Sequence, residues 1–182
     1  WTRAEKPLSG VIEKALGSPH QPATRLQSIL EKYQLCATFS DSVQQQALQI
    51  PSQLSPAHLK GRLDLRNLLC LTIDPEDSQD FDDALTLESL PHGGHRVGVH
   101  IADVSYYVKP NTPLDKEAQR RGNSTYLSGY VVPMLPLELS AGICSLLEDQ
   151  DRLTKSVLLE FSPKGAILGI QFTNTVIRSS KR

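Results

Sequence analysis

Residues 68–88 read LLCLTIDPEDSQDFDDALTLE, and the order of apolar, acidic and alternating segments within them decides the fold. LLCLTI (68–73) is an apolar run of strand length, short of the ten or so residues a helix needs, so it reads as a buried strand. Pro75 turns the chain away from that strand. ALTLE (84–88) then resumes a strand pattern beyond the acidic stretch.

Working outward, RVGVHIADV (96–104) reads as a further strand, set off from ALTLE by the turn signal PHGG (91–94). PLDKEAQRRG (113–122) predicts a helix, with Pro113 at its start and Gly122 at its end. PLELSAGIC (136–144) predicts a second short one. Residues 155–177, KSVLLEFSPKGAILGIQFTNTVI, predict a hairpin turning at SPKG. Towards the N-terminus the texture is helical. In TRLQSILEKY, Leu26, Ile29, Leu30 and Tyr33 recur at i, i+3, i+4 and i+7, giving one apolar helical face. Asp41 is expected to cap a second short helix that ends before Pro51. PSQLSPAHLKG (51–61) reads as a connector. The fold class is therefore α+β: a mixed sheet core with short helices, preceded by a helical arm.

The chain has 182 residues, enough to bury a sizeable core, with 39% hydrophobic residues, 21% charged and a net charge of −1. No apolar run approaches the roughly 18–20 residues of a membrane span, and no membrane partner is expected. WTRAEKPLSG at the start has no apolar core of a signal peptide and no initiator Met, and the end is basic, IRSSKR. Both ends are expected to be cuts in a longer protein. Cys36, Cys70 and Cys144 have neither CxxC nor zinc-ligand spacing, so all three are expected to be small buried hydrophobes of a reducing, intracellular compartment.

DPEDSQDFDD (74–83) holds six acids, Asp74, Glu76, Asp77, Asp80, Asp82 and Asp83, and no base. With a net charge of −1 overall, the rest of the chain carries +5. Neighbouring carboxylates at ~4 Å repel by about 1 kcal/mol even at the dielectric of water. Hard divalent cations offset such crowding, and Mg²⁺ in particular takes a few carboxylates plus phosphate oxygens. Extended, the chain puts Asp80 and Asp82 on one face and Asp83 on the other; as a helical turn it brings Asp80 and Asp83 together. The sequence is compatible with both, and with a solvated acidic loop. A calcium loop of the EF-hand type needs Gly at position six and Glu at twelve. Counting from Asp74 gives Gln79 and Leu85, and from Asp80 Leu85 and Pro91, which excludes it. Two alternating aspartates directly after a strand would suggest an aspartyl-phosphate enzyme, but Pro75 and Glu76 follow Asp74.

Four segments in order, TIDPEDSQDFDDAL (72–85), VGVHIADVSYYV (97–108), LDKEAQRRGNSTYL (114–127) and VVPMLPLELSAGICSL (131–146), resemble the ribonuclease II (RNB) family of 3′→5′ exoribonucleases. GVIEKALG and ILEKY look like the lead-in to that catalytic domain. The resemblance implies a helical lead-in over residues 1–61 and the N-terminal portion of an RNB-like fold over 62–182. The family's motif of Asp, five residues, Asp, one residue, Asp-Asp falls on Asp74, Asp80, Asp82 and Asp83. By resemblance, Asp74, Asp80 and Asp83 hold Mg²⁺, with Mn²⁺ as a substitute. Asp82 is the catalytic aspartate whose loss stops cleavage without stopping RNA binding. Tyr126 stacks near the 3′-terminal nucleotide of single-stranded RNA, which the family degrades processively to nucleoside 5′-monophosphates. From residue type alone Tyr126 reads as a packing tyrosine, His100 as a hydrogen-bonded core residue, and Arg120 and Arg121 as either phosphate contacts or solvated helix ends.

The family's core continues past the length of this chain and supplies a catalytic arginine, and OB-type or helicase modules accompany it in larger proteins. The resemblance thus implies an RNA-directed enzyme whose metal site is here, with the isolated piece inactive. The pI of about 6.6 agrees, since a free-standing RNA binder shows a basic footprint. A non-catalytic RNB-like module, binding RNA or serving as a scaffold, is the alternative.

Overall fold

The computed structural model describes residues 9–180; residues 1–8 and 181–182, which hold most of the first and the last two positions of the stretches read as cut ends, lie outside them. The described residues form two compact units, 9–38 and 39–180. In the first, α1 (Pro22–Lys32) starts on a proline, whose missing N–H costs nothing at a helix N-terminus, and carries Lys32 in its last turn. Lys14 pairs with Glu31 at 2.6 Å. The predicted apolar stripe is present, but Ile29 and Tyr33 on it are exposed.

The second unit begins with α2 (Asp41–Leu48) and the single-turn α3 (Pro56–Leu59). Two expectations are corrected. Asp41 is the first helical residue and not the cap, which is Ser40. The connector contains α3, because Ser55 and His58 close a reciprocal capping box that satisfies the first free N–H groups.

Eight strands follow: β1 (Leu63–Asp64), β2 (Cys70–Leu71), β3 (Asp83–Ser89), β4 (His95–Ala102), β5 (Thr125–Leu127), β6 (Tyr130–Val132), β7 (Asp151–Phe161) and β8 (Ile167–Arg178). Six form one sheet in the order β1-β8-β7-β4-β3-β2, and β5 pairs with β6 apart from it. β1 runs parallel to β8 and the other pairings are antiparallel, so the sheet is mixed as expected. The hairpin of β7 and β8 forms as predicted, with Gly165 at φ +80° in its turn. The apolar run at 68–73 is corrected to an edge strand of two paired residues. Cys70 and Thr72 face inward, while Leu69 and Ile73 point to solvent.

Between β4 and β5 lie α4 (Val104–Tyr107) and α5 (Pro113–Arg121). The Thr112 hydroxyl caps α5 by accepting the Asp115 N–H, and Gly122 at φ +78° ends it. The expected helix at 136–144 is a π-helical turn, Leu139–Ile143, broken at Gly142 (φ −112°, ψ −115°).

One core cluster packs α2, α5 and the π-helical turn together through Val43, Ala47, Leu114, Ala118, Leu139 and Ile143. A second, Cys70, Phe81, Ala84, Ala102, Leu146 and Ile177, lies under the acidic stretch. One face of the sheet buries a polar row: His100 Nε2 meets Thr86 Oγ1 at 2.9 Å, and its Nδ1 meets Ser156 Oγ at 2.7 Å. Ser156 Oγ continues to Thr175 Oγ1 at 2.7 Å. Arg62 and Asp103 form a buried ion pair at 2.5 Å, the guanidinium also reaching the carbonyls of Thr154 and Thr175. On the other face, Leu85, Val99, Val157 and Phe172 align across four strands, with Phe172 78% exposed. Among the described residues no helix is long and apolar enough to cross a membrane.

Candidate active site

The acidic stretch is shaped by one aromatic residue. Phe81 is 5% exposed and anchored in the second core cluster, which turns Asp80 and Asp82 on either side of it outward. The backbone is tied from both sides. Leu146 N donates to Phe81 O at 2.9 Å, and Ala102 N donates to Asp82 O at 2.9 Å. Upstream, Ser78 N closes a turn onto Pro75 O at 3.1 Å, folding Asp74 back towards the same side.

The result is an open cleft of about 640 Å³ whose lining includes Asp74, Asp77, Asp80, Asp82 and Tyr126. Of the two geometries open to the sequence, the extended one is observed. Asp80 and Asp82 share the cleft, while Asp83 begins β3 opposite Ile101 and is not part of the lining. Asp77, which the four-residue motif passes over, lines the cleft as well; its membership of the six-acid run is the only sequence signal for it.

Loss of water around its carboxyl raises the pKa of Asp82 above the usual carboxylate value, and the negative charges of Asp80, Asp83 and Asp74 raise it further. Asp82 still meets solvent, so lost hydration is only partial and the like charges are the feature specific to this site. Asp74 Oδ2, by contrast, is closed off from solvent. Tyr126 stands on the β5–β6 hairpin, 63% exposed, and its hydroxyl donates to Asp80 Oδ2 at 2.5 Å. That hydrogen bond, burial and the charge of Asp80 push the phenol up to about 12, so it remains a donor at neutral pH. An exposed ring fits a stacking surface and not the packing role that residue type alone suggests.

His100 is fully buried and hydrogen-bonded at both ring nitrogens, as a core histidine. Arg120 is exposed and bonds Glu117, whereas Arg121 bonds Glu117 and Pro133 O and lies 3.8 Å over the Phe39 ring. Cys70 and Cys144 are buried as expected, but Cys36 is exposed, because it lies between α1 and α2, outside either element.

A divalent cation suits this donor set on chemical grounds. The charged side chains lining the cleft are all carboxylates, the hard donors Mg²⁺ prefers, and their mutual repulsion is what a cation relieves. Among the described residues no three His, Cys, Asp or Glu side chains are grouped closely enough to hold a metal ion between them.

Mixed sheet, covering helices and carboxylate-lined cleft together define a class. Residues 62–182 match the RNB domain model, and the chain belongs to the RNB domain family. Ribonuclease R of Thermotoga maritima is 46% identical over 173 residues, covering 94% of this chain and 24% of its own length. The chain thus spans about a quarter of that relative. Mycoplasma genitalium RNase R, in complexes with double-stranded RNA and with ribose-methylated single-stranded RNA, superposes with TM-scores of 0.84 at 32% identity. These matches cover 92% of this chain and 30% and 26% of the respective RNase R chains. Yeast Ssd1, a pseudonuclease, shares the fold with a TM-score of 0.77 at 21% identity, over 91% of this chain and 21% of Ssd1.

Proposed function

We propose that this chain is the acidic half of a metal-dependent 3′→5′ exoribonuclease that hydrolyses single-stranded RNA to nucleoside 5′-monophosphates. The observation that carries the reading is the cleft itself, which gathers Asp74, Asp80 and Asp82 beside the exposed ring and hydroxyl of Tyr126. Kinship with RNase R, seen with RNA in its Mycoplasma form, supports RNA as the ligand. By the family motif, Asp74, Asp80 and Asp83 would hold Mg²⁺ or Mn²⁺; Asp74 and Asp80 line the cleft, and Asp83 stands next to it at the start of β3. A cation held there would supply charge neutralisation at phosphoryl oxygens and a water acidic enough to attack at neutral pH. Asp82, which lines the cleft beside Asp80, serves the cleavage step and not RNA retention. The Tyr126 ring stacks a base near the 3′ end, tolerant of sequence because every base has a π-face. The setting is intracellular, within a longer protein carrying OB-type or helicase modules, and the 182 residues alone are inactive.

The test gives the parent protein 5′-labelled single-stranded RNA with Mg²⁺. Stepwise shortening from the 3′ end, abolished by EDTA or by Asp82→Asn with RNA binding intact, supports the enzyme. The fold shared with a pseudonuclease favours a second reading, a non-catalytic RNA-binding or scaffold module. Binding without shortening, indifferent to Asp82→Asn, supports that reading instead.

A further inference from the structure

Ser145 is 1% exposed and lies 62 to 71 positions from the four aspartates, yet its hydroxyl grips the acidic stretch twice. Its Oγ donates to Gln79 O at 2.8 Å and accepts the Phe81 N–H at 3.1 Å, so the two bonds bracket Asp80. The next residue adds the Leu146 N to Phe81 O bond at 2.9 Å. Residues 79–81 belong to no strand, and this short segment supplies the ladder a strand would have given them.

Ser145 is itself braced. Arg152, buried on β7, donates Nε to Ser145 O at 2.7 Å and Nη2 to Gly142 O at 3.3 Å, holding both ends of the break in the π-helical turn. Its Nη1 meets Asp151 O at 3.0 Å, so the guanidinium is a rigid fork engaged at all three nitrogens, and a lysine in its place could hold only one of the two turn carbonyls well. From this geometry we infer that Ser145, backed by Arg152, is the positioning residue that holds Asp80, a metal donor in the reading above, and Asp82, its cleavage aspartate, in register across the cleft. The inference rests on the exoribonuclease reading above and adds to it a residue outside the aspartate motif. Partners that orient ligands without touching the metal commonly change metal affinity or activity by about ten- to a hundredfold when lost.

The experiment uses the parent protein and compares Ser145→Ala, Ser145→Thr, Arg152→Lys and a control, Ser156→Ala. The control removes a hydroxyl from the buried row of His100 and Thr175, outside the cleft lining. Three quantities are read: the Mg²⁺ concentration for half-maximal rate, kcat and KM on single-stranded RNA, and Mn²⁺ affinity by electron paramagnetic resonance without RNA. Ser145→Ala is expected to weaken Mn²⁺ binding and raise the Mg²⁺ requirement by about tenfold or more, and to lower kcat while KM moves less than twofold. Ser145→Thr, which keeps a hydroxyl, should recover most of the loss, and Ser156→Ala at a comparable melting temperature should leave all three unchanged. Where Ser145→Ala is too unstable to assay, Arg152→Lys carries the test, with a several-fold rise in the Mg²⁺ requirement expected. An active wild type whose metal dependence is untouched by Ser145→Ala or Arg152→Lys, or shifted equally by Ser156→Ala, overturns the inference while leaving the nuclease reading in place. A wild type that neither binds Mn²⁺ nor shortens RNA overturns both.

Discussion

Tyr126 and Asp80, 46 positions apart in the chain, are joined by a 2.5 Å hydrogen bond from the phenol to Oδ2 of the carboxylate. In the metal-dependent reading the same oxygen is a metal donor, so the tyrosine and the cation would compete for it. Tyr126→Phe removes the competitor and keeps the ring. The Mg²⁺ needed for half-maximal cleavage should then fall, by up to about tenfold, given what hydrogen bonds to charged groups are worth. Tyr126→Ala also removes the stacking surface and should raise KM for RNA at least about fivefold. Steady-state kinetics across an Mg²⁺ series reads both, and an unchanged requirement in the phenylalanine variant would rule out the competition.

Burial holds the His100 imidazole down to about 4, against an ordinary value near 6.5. Between those values the unfolded chain takes up a proton that the folded chain refuses, so acid favours unfolding. The contribution is complete above about pH 6.5 and is lost as the pH falls towards 4, a swing of about 3 kcal/mol. Urea unfolding at pH 7 and pH 4.5 should show a larger loss of stability in the wild type than in His100→Gln. Equal losses would mean that His100 does not titrate as described.

Gly98 faces the same polar row from β4. A Cβ there would stand 2.3 Å from Thr86 Oγ1 and 2.5 Å from His100 Nε2. Gly98→Ala should therefore cost about 1–3 kcal/mol by overpacking, despite the better strand propensity of alanine. Thermal melting gives the number, and a neutral substitution would mean the row has slack.

Asp103→Asn leaves the Arg62 guanidinium buried without its counter-charge. A loss of about 3–5 kcal/mol is expected. A variant within 1 kcal/mol of the wild type in urea would show that carbonyls and water suffice for Arg62.

What the sequence discloses about this molecule follows the range of the interaction. The hairpin at SPKG and the helix from Pro113 to Gly122 announce themselves because turn glycines, prolines and capping hydroxyls act within a few residues. The acidic site is visible as a charge anomaly for the same reason. Resemblance, and not spacing, gave the aspartates their roles. The separation of Asp83 from the cleft depends on where β3 starts its pairing with β4, which sequence left open. Ser145 carries no local signal at all: its partners lie more than sixty residues away, and GICSL reads only as the end of a short helix. Capping at Ser40 in place of Asp41, and the exposure of Cys36, were missed at element boundaries, where adjacent residues of similar type compete.

The seating of Phe81 in the core has a consequence for insertions and deletions. With its ring fixed below and the backbone tied at residues 79, 81 and 82, the stretch from Asp74 to Asp83 behaves as a fixed-length ruler. Gaining or losing one residue next to Phe81 would rotate an acidic side chain into the hydrocarbon and a phenyl ring into the cleft. Side chains along that ruler can change in kind, but the number of residues between Asp74 and Asp83 cannot.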